Sequence, residues 1–101
     1  MLTKDDARNK MNELLAERGR YITGGLALVE EMTLEKPYGW VFFYNSRRFL
    51  ETRHILHGIA GNGPVVVVAS TGEVVTLGSS RAPAEEVADF ERQRGLSSKI
   101  E

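Results

Sequence analysis

Few residues in this chain have types and spacing that could do chemistry. Glu51-x-x-His54-x-x-His57 is the one cluster that resembles a set of metal ligands. An i, i+3 spacing can set a carboxylate and an imidazole on one side of a helix, as carboxylate–histidine metal sites require. The third member, at i+6, turns away around the axis, and neither a cysteine nor a second Glu-x-x-His is present to complete a shell. The cluster therefore reads as a solvated polar face, and no metal or other cofactor is expected. Gly58-Ile59-Ala60-Gly61-Asn62-Gly63-Pro64 is rich in glycine. It fits neither phosphate-binding pattern, and it leads into a strand-like run where a phosphate would need a helix N-terminus. Ser79 and Ser80 read as residues leading into a helix, and no motif ties a serine to either histidine, so no catalytic residue is expected. Glu30 interrupts an apolar stripe and is expected at a sheet rim beside an Arg or Lys. Nothing nearby supports it as a buried base. Arg47 and Arg48 close to the aromatic run Tyr38–Tyr44 suggest bases stacked beside positive charge. The run lacks the order of an RNA-binding RNP1 motif, and the slightly acidic chain offers phosphate little attraction, so no nucleic-acid partner is expected.

The composition agrees with a binding role. The chain has 101 residues, 42% apolar and 27% charged, with a net charge of −1 and no cysteine. That length gives one hydrophobic core, and residues 1–101 are expected to form a single domain. The near-neutral charge supplies no long-range pull toward nucleic acid or an anionic membrane. Without cysteine there are no disulfides and no thiolate chemistry. The stretch Met1–Asp6 carries acidic residues and leads into no apolar run, and Pro64–Ala69 is too short to span a bilayer. A cytoplasmic chain with no membrane partner is expected.

The elements that must position these residues follow from periodicity. Thr3 is placed to cap a helix, with Asp6 in the capping-box position. Ala7, Met11, Leu14 and Leu15 then recur at i, i+4, i+7 and i+8, and Gly19 is expected to stop the helix in the left-handed conformation. After Gly24-Gly25 the period changes to two. Leu26, Leu28, Met32 and Leu34 share one face of an expected strand, and Pro37-Tyr38-Gly39 turns it into a second, Trp40–Tyr44. The link from Ser46 to Gly63 reads as a short helix or an ordered loop, with Leu50, Leu56 and Ile59 as candidates to face inward. Val65–Ala69 and Val74–Leu77 form a second hairpin around Ser70–Glu73. Pro83 opens a last helix on which Ala84, Val87, Ala88 and Glu91 share a side, and Gly95 ends it. The tail from Leu96 to Glu101 is expected to be loose.

This order predicts an α+β fold: a four-stranded antiparallel sheet of two hairpins, with the N-terminal and C-terminal helices packed on one face. Trp40, Phe42 and Tyr44 group with Val65, Val67 and Ala69 and with Leu26 and Leu28 as the core face. The alternate set holds Val29, Val41, Phe43, Val66, Val68 and Val74 among smaller and polar residues. Two helices about 10 Å across suffice for one face of a sheet nearly 20 Å wide, so the alternate face is expected to be open. The Ser46–Gly63 link or a second copy could cover it; otherwise an exposed apolar patch of this kind marks an association site. The candidate partner-binding residues are Val41, Phe43, Arg47, Arg48 and His54.

Three segments carry a resemblance. They are Tyr38-Gly39-Trp40-Val41-Phe42-Phe43-Tyr44 followed by Phe49-Leu50-Glu51-Thr52, then Gly61-Asn62-Gly63-Pro64-Val65-Val66-Val67, then Thr71-Gly72-Glu73-Val74 through Leu77-Gly78 and the Pro83-Ala84-Glu85-Glu86 helix. In this order and spacing the chain resembles the YrhB-like domain, also called the immunity protein 35 family, from about Leu26 to Gln93. Gly39, Trp40, Gly61, Gly63 and Pro64 match the family pattern, and physically they read as scaffold: two turns, a core indole and the start of a strand. Arg53-His54-Ile55-Leu56-His57 departs from it, since small and acidic residues are expected there in relatives, which makes this stretch a candidate for partner-specific contacts. The resemblance implies a bacterial, non-enzymatic immunity protein, often encoded beside a polymorphic toxin. It would protect the producing cell by binding the cognate toxin protein, acting as a monomer or homodimer. The alternative is a small holdase using the same apolar face on unfolded chains.

Overall fold

The computed structural model of this chain describes residues 1–96. Its first element, α1 (Lys4–Arg18), begins as its capping chemistry requires: the Asp6 N–H donates to the Thr3 hydroxyl at 3.1 Å and the Thr3 N–H to the Asp6 carboxylate at 3.0 Å. Ala7, Met11 and Leu15 are buried. The helix stops at Gly19, which is not left-handed (φ −89). Glycine is needed there for space: a Cβ would lie 2.9 Å from the Leu15 carbonyl oxygen and 3.0 Å from Leu26.

The long strand expected from Leu26 to Leu34 is broken. β1 (Leu26–Leu28) and β2 (Leu34–Lys36) are separated by a 3-10 turn over Glu30–Met32. Opposite them run β3 (Gly39–Phe42) and β4 (Tyr44–Ser46), with Phe43 at the joint. The antiparallel register pairs Leu28 with Tyr44 but Leu34 with Val41. Cross-strand partners share a face, so the turn inserts an odd number of residues and reverses the alternation. Leu26 and Leu28 face the core with Phe42 and Tyr44, while Leu34 sits on the Val41 side and is 41% exposed. Glu30 lies exposed on the turn, bonded to Arg8 at 3.3 Å.

β5 (Val65–Val68) pairs with β3, and β6 (Val74–Thr76) with β5, giving a four-stranded antiparallel sheet in the order β2-β3-β5-β6 beside the two-stranded β1-β4. Gly39 belongs where β3 meets β5 so closely that a Cβ would lie 2.0 Å from the Val67 carbonyl oxygen.

The α+β class, the antiparallel sheet and the terminal helices are as the sequence predicts; the placement of the helices is not. α1 packs on one face, over Phe42, Tyr44, Val65 and Val67. The last helix, α3 (Pro83–Arg94), lies on the opposite face, where Val87 and Phe90 bury Val41 and Val66. Strands stand about 4.8 Å apart and a helix is about 10 Å across, so one helix spans the two central strands. Both central strands are apolar on both faces, and one helix on each side buries all four of these stripes. Two helices on one side would leave the other wet. The uncovered apolar groups are then at the edges, Leu34 on β2 and Val74 on β6, the latter 38% exposed.

Helix α3 presents Val87, Phe90 and Glu91 inward, whereas Ala84 and Ala88 are exposed. Its start is not capped by Ser79 or Ser80; Ala82 takes the cap position without a side-chain bond, and Pro83 needs no donor partner in the first turn. The buried Glu91 carboxylate accepts from the Tyr38 hydroxyl at 2.8 Å and pairs with Lys36 at 3.3 Å. Burial, helped by the Glu91 carboxylate, pushes the Tyr38 phenol well above its usual range. Gly95 ends the helix in the left-handed conformation (φ 65). Of the tail expected to be loose, Leu96 packs against the Val41–Phe90 cluster and its N–H donates to Glu91 O at 2.8 Å; residues 97–101 lie outside those described. No helix among the described residues is long and apolar enough to cross a membrane.

Candidate protein-binding site

The link between β4 and β5 folds into α2 (Arg47–Thr52) and a 3-10 turn, Ile55–His57. Ser46 organises both. Its buried hydroxyl accepts from the Phe49 N–H at 2.9 Å, capping α2, and donates to the His57 carbonyl, tying down the far end of the turn. Helix α2 lasts six residues because Arg53 takes the left-handed conformation at its end (φ 57). His54 then caps the next turn, its Nδ1 accepting from the Leu56 N–H at 3.2 Å. The His54 and His57 rings stand 5.5 Å apart. Further along, Ile59 and Asn62 anchor the link to β4: the Ile59 N–H donates to Asn45 Oδ1 at 3.4 Å and the Asn62 amide to Tyr44 O at 2.9 Å.

This anchoring gives the link an unusual surface. Leu50 and Ile59 are half-buried, but Leu56, expected to face inward, is 82% exposed, and its neighbour Ile55 is 83% exposed. The caps hold both side chains outward, so two large apolar groups face water on an ordered turn. Burying either against a partner would return about 1.5–3 kcal/mol.

The charges around the turn are also distinctive. Among the described residues Arg8, Arg20, Arg81, Arg92 and Arg94 each have a carboxylate within ion-pair distance. No such pair involves Arg47, Arg48 or Arg53 among the described residues. Arg47 Nε donates only to the Gly24 carbonyl at 3.2 Å, and Arg53 lies over the Phe49 ring at 5.9 Å. From residue 37 to residue 72 the chain has a single acidic residue, Glu51. Glu51, His54 and His57 do not share one helix, since Arg53 ends it between them, and among the described residues no group of three or more His, Asp or Glu could hold a metal ion.

Beside the link, at the start of α3, lies a groove of about 310 Å³ lined by Val29, Met32, Phe43, Asn45, Pro64 and Pro83 among others. Arg81 also lines it, bonded to Glu86 at 3.0 Å and to Asp89. Asn45 joins the two features, since it faces the groove while its side chain holds Ile59.

The five candidate residues separate accordingly. Val41 is fully buried beneath α3 and is withdrawn from the surface. The open sheet face inferred around it does not exist, because α3 occupies it. Phe43 is half-buried, packed against the Val41 cluster while lining the groove. Arg47, Arg48 and His54 are all exposed, the two arginines in the first turn of α2 and His54 beyond its far end. Sequence reasoning placed Ile55 and Leu56 in the stretch named for partner-specific contacts but expected Leu56 to face inward, and so missed that the two form an outward pair. The signal was their position inside the Arg53–His57 stretch, where hydrophobic residues stand between basic ones with no helical or strand period to draw them inward.

The chain matches the family described as immunity protein 35 over residues 5–89. It is 31% identical over 91 residues to a protein of Escherichia coli strain K12 described as uncharacterized protein YrhB, an alignment covering 90% of each chain. No solved structure matches at a significant level. The family match runs from the first turn of α1 into α3, taking in every strand and every buried residue of the two core clusters except Phe90, and the chain belongs to the immunity protein 35 family.

Proposed function

We propose that this chain is an immunity protein that binds a cognate bacterial toxin and neutralises it by covering its active site. The family description supports the class of function. The observation that carries the binding mode is the ordered, outward-facing Ile55–Leu56 pair on a turn capped by His54 and tied down by Ser46. Occlusion asks for no catalytic residue; an interface of about 800 Å² on each partner suffices to block a cleft. Arg47, Arg48 and His54 are exposed on the same link, and Phe43 in the neighbouring groove extends the surface toward α3. Two side chains on one turn and a small groove favour a specific partner over a holdase, which needs a broad apolar surface.

The test is co-expression with candidate toxin domains from the genome that encodes this chain, starting with any encoded beside its gene. The chain should rescue growth and co-purify with the toxin at one-to-one stoichiometry. Ile55→Asp combined with Leu56→Asp should remove both effects while leaving the melting temperature within about 2 °C of the parent, because neither side chain is packed in the core. Full protection by the double variant would place the interface elsewhere, and failure of the parent chain to protect would refute the function.

A further inference from the structure

Resting on the toxin-binding reading above, the inference here concerns the chemistry of the partner. We infer that the surface recognised by the α2 unit is acidic, with an apolar recess at its centre: carboxylates facing Arg47, Arg48 and Arg53, and a pocket receiving Ile55 and Leu56.

Three observations converge on it. First, charge is segregated within a chain whose net charge is only −1. The described arginines outside this unit are internally committed, five to carboxylates and Arg18 to the Tyr44 and Thr76 hydroxyls. Those of α2 and its C-cap meet no carboxylate among the described residues: Arg47 donates only to the Gly24 carbonyl and Arg53 lies over the Phe49 ring. A guanidinium presents a planar fork that matches a carboxylate bidentately, so three arginines without a carboxylate on one short segment select for carboxylates opposite. Second, the same link that carries these cations exposes two large apolar side chains, Ile55 and Leu56. Phosphate-binding surfaces interleave cations with flat rings or hydrogen-bonding groups. Here, beside the Phe49, His54 and His57 rings, the turn also exposes two branched aliphatic groups, which a protein recess can bury and a nucleic-acid backbone cannot. Third, the unit is rigid before binding. Ser46, Arg53 and His54 fix its two turns by side-chain caps and a left-handed residue, so little ordering accompanies docking. Acidic residues cluster in the clefts of enzymes that hold divalent cations or protonate glycosidic bonds, and an inhibitor of such a cleft requires this combination of charge and shape.

The experiment uses the full chain and the toxin domain it protects against in the co-expression test, with binding kinetics measured at 50 and 500 mM NaCl. The association rate should fall at least about tenfold across that range, as for oppositely charged partners. Arg47→Gln/Arg48→Gln should weaken binding about tenfold or more and flatten the salt dependence, and adding Arg53→Gln should extend both effects. Because these side chains make no ion pair in the free chain, the variants should keep the parent melting temperature; the pair without Arg53 keeps the test free of the left-handed position. A toxin bound and neutralised with salt-independent kinetics, or with affinity unmoved in the glutamine variants, would overturn the inference and leave the proposed function standing. Absence of any protected toxin would remove both. Salt-dependent retention of a 20-nucleotide RNA or of anionic lipid vesicles by the free chain, lost in the same variants, would assign the cations to phosphate and overturn it as well.

Discussion

Val41→Ala separates the two accounts of the second sheet face, as core or as docking surface. Val41 is fully buried, enclosed by Val66, Val87 and Phe90. Removing two methyl groups there forfeits about 1.5 kcal/mol of transfer free energy. The cavity left between a helix and a sheet that cannot close over it raises the loss to about 2.5 kcal/mol. For a domain of this size each kcal/mol moves the midpoint by about 4–8 °C, so the melting temperature should fall by about 10–20 °C. The assay is thermal unfolding followed at 222 nm, with urea unfolding as a second probe of two-state behaviour. Ile55→Ala is the internal control: with its side chain in solvent it should shift the midpoint by no more than about 2 °C. The reasoning is refuted if Val41→Ala leaves the midpoint unchanged and weakens partner binding instead. That outcome would mean that α3 does not cover the sheet and that the face is free to dock.

Two further outcomes test other parts of the structure. Gly39→Ala, which sets a Cβ 2.0 Å from the Val67 carbonyl oxygen, should destabilise by about 3 kcal/mol or more in urea, whereas Gly61→Ala, with nothing within 4 Å, should cost only the about 1 kcal/mol of its left-handed φ; equal losses would refute the close-approach argument. Asp6 is held below the usual carboxylate range chiefly by the Thr3 amide, and Glu73 by the Arg94 guanidinium. A carboxylate depressed in the folded state stabilises at neutral pH and loses that contribution as pH falls through about 4 and below, so Asp6→Asn/Glu73→Gln should flatten the acid limb of a melting-temperature profile; a limb as steep as the parent's would contradict this.

Much of the architecture was legible because it is written in local periods. The Ala7–Met11–Leu15 stripe, the alternation of Trp40, Phe42 and Tyr44 against Val41 and Phe43, and the Pro83 and Gly95 helix ends all lead to the elements observed. Three features were not legible, each for a physical reason. Which face a terminal helix takes depends on how two faces of the same strands share cover, and Val87 and Phe90 say only that α3 has an apolar side. The 3-10 turn at Glu30–Met32 preserves an apparent period of two from Leu26 to Leu34 while reversing which side Leu34 faces, so pattern alone cannot reveal the break. Gly19 reads as a helix stop, but its requirement is for space, set by the Leu15 carbonyl and by Leu26, seven residues on and brought close by the fold. At the candidate site Arg47, Arg48 and His54 were visible as an exposed basic segment. The outward turning of Ile55 and Leu56 was not, because it is decided by caps from Ser46 and His54 rather than by hydrophobicity.

Ser46 divides labour within the molecule. Its hydroxyl, inside the fold, secures both ends of the recognition turn, while the side chains that face outward contribute almost nothing to folding. Residues 55 and 56 can therefore be exchanged to meet a new antagonist without spending the stability of the domain. A lineage in an arms race can redraft its recognition element one substitution at a time, with the frame that presents it left intact.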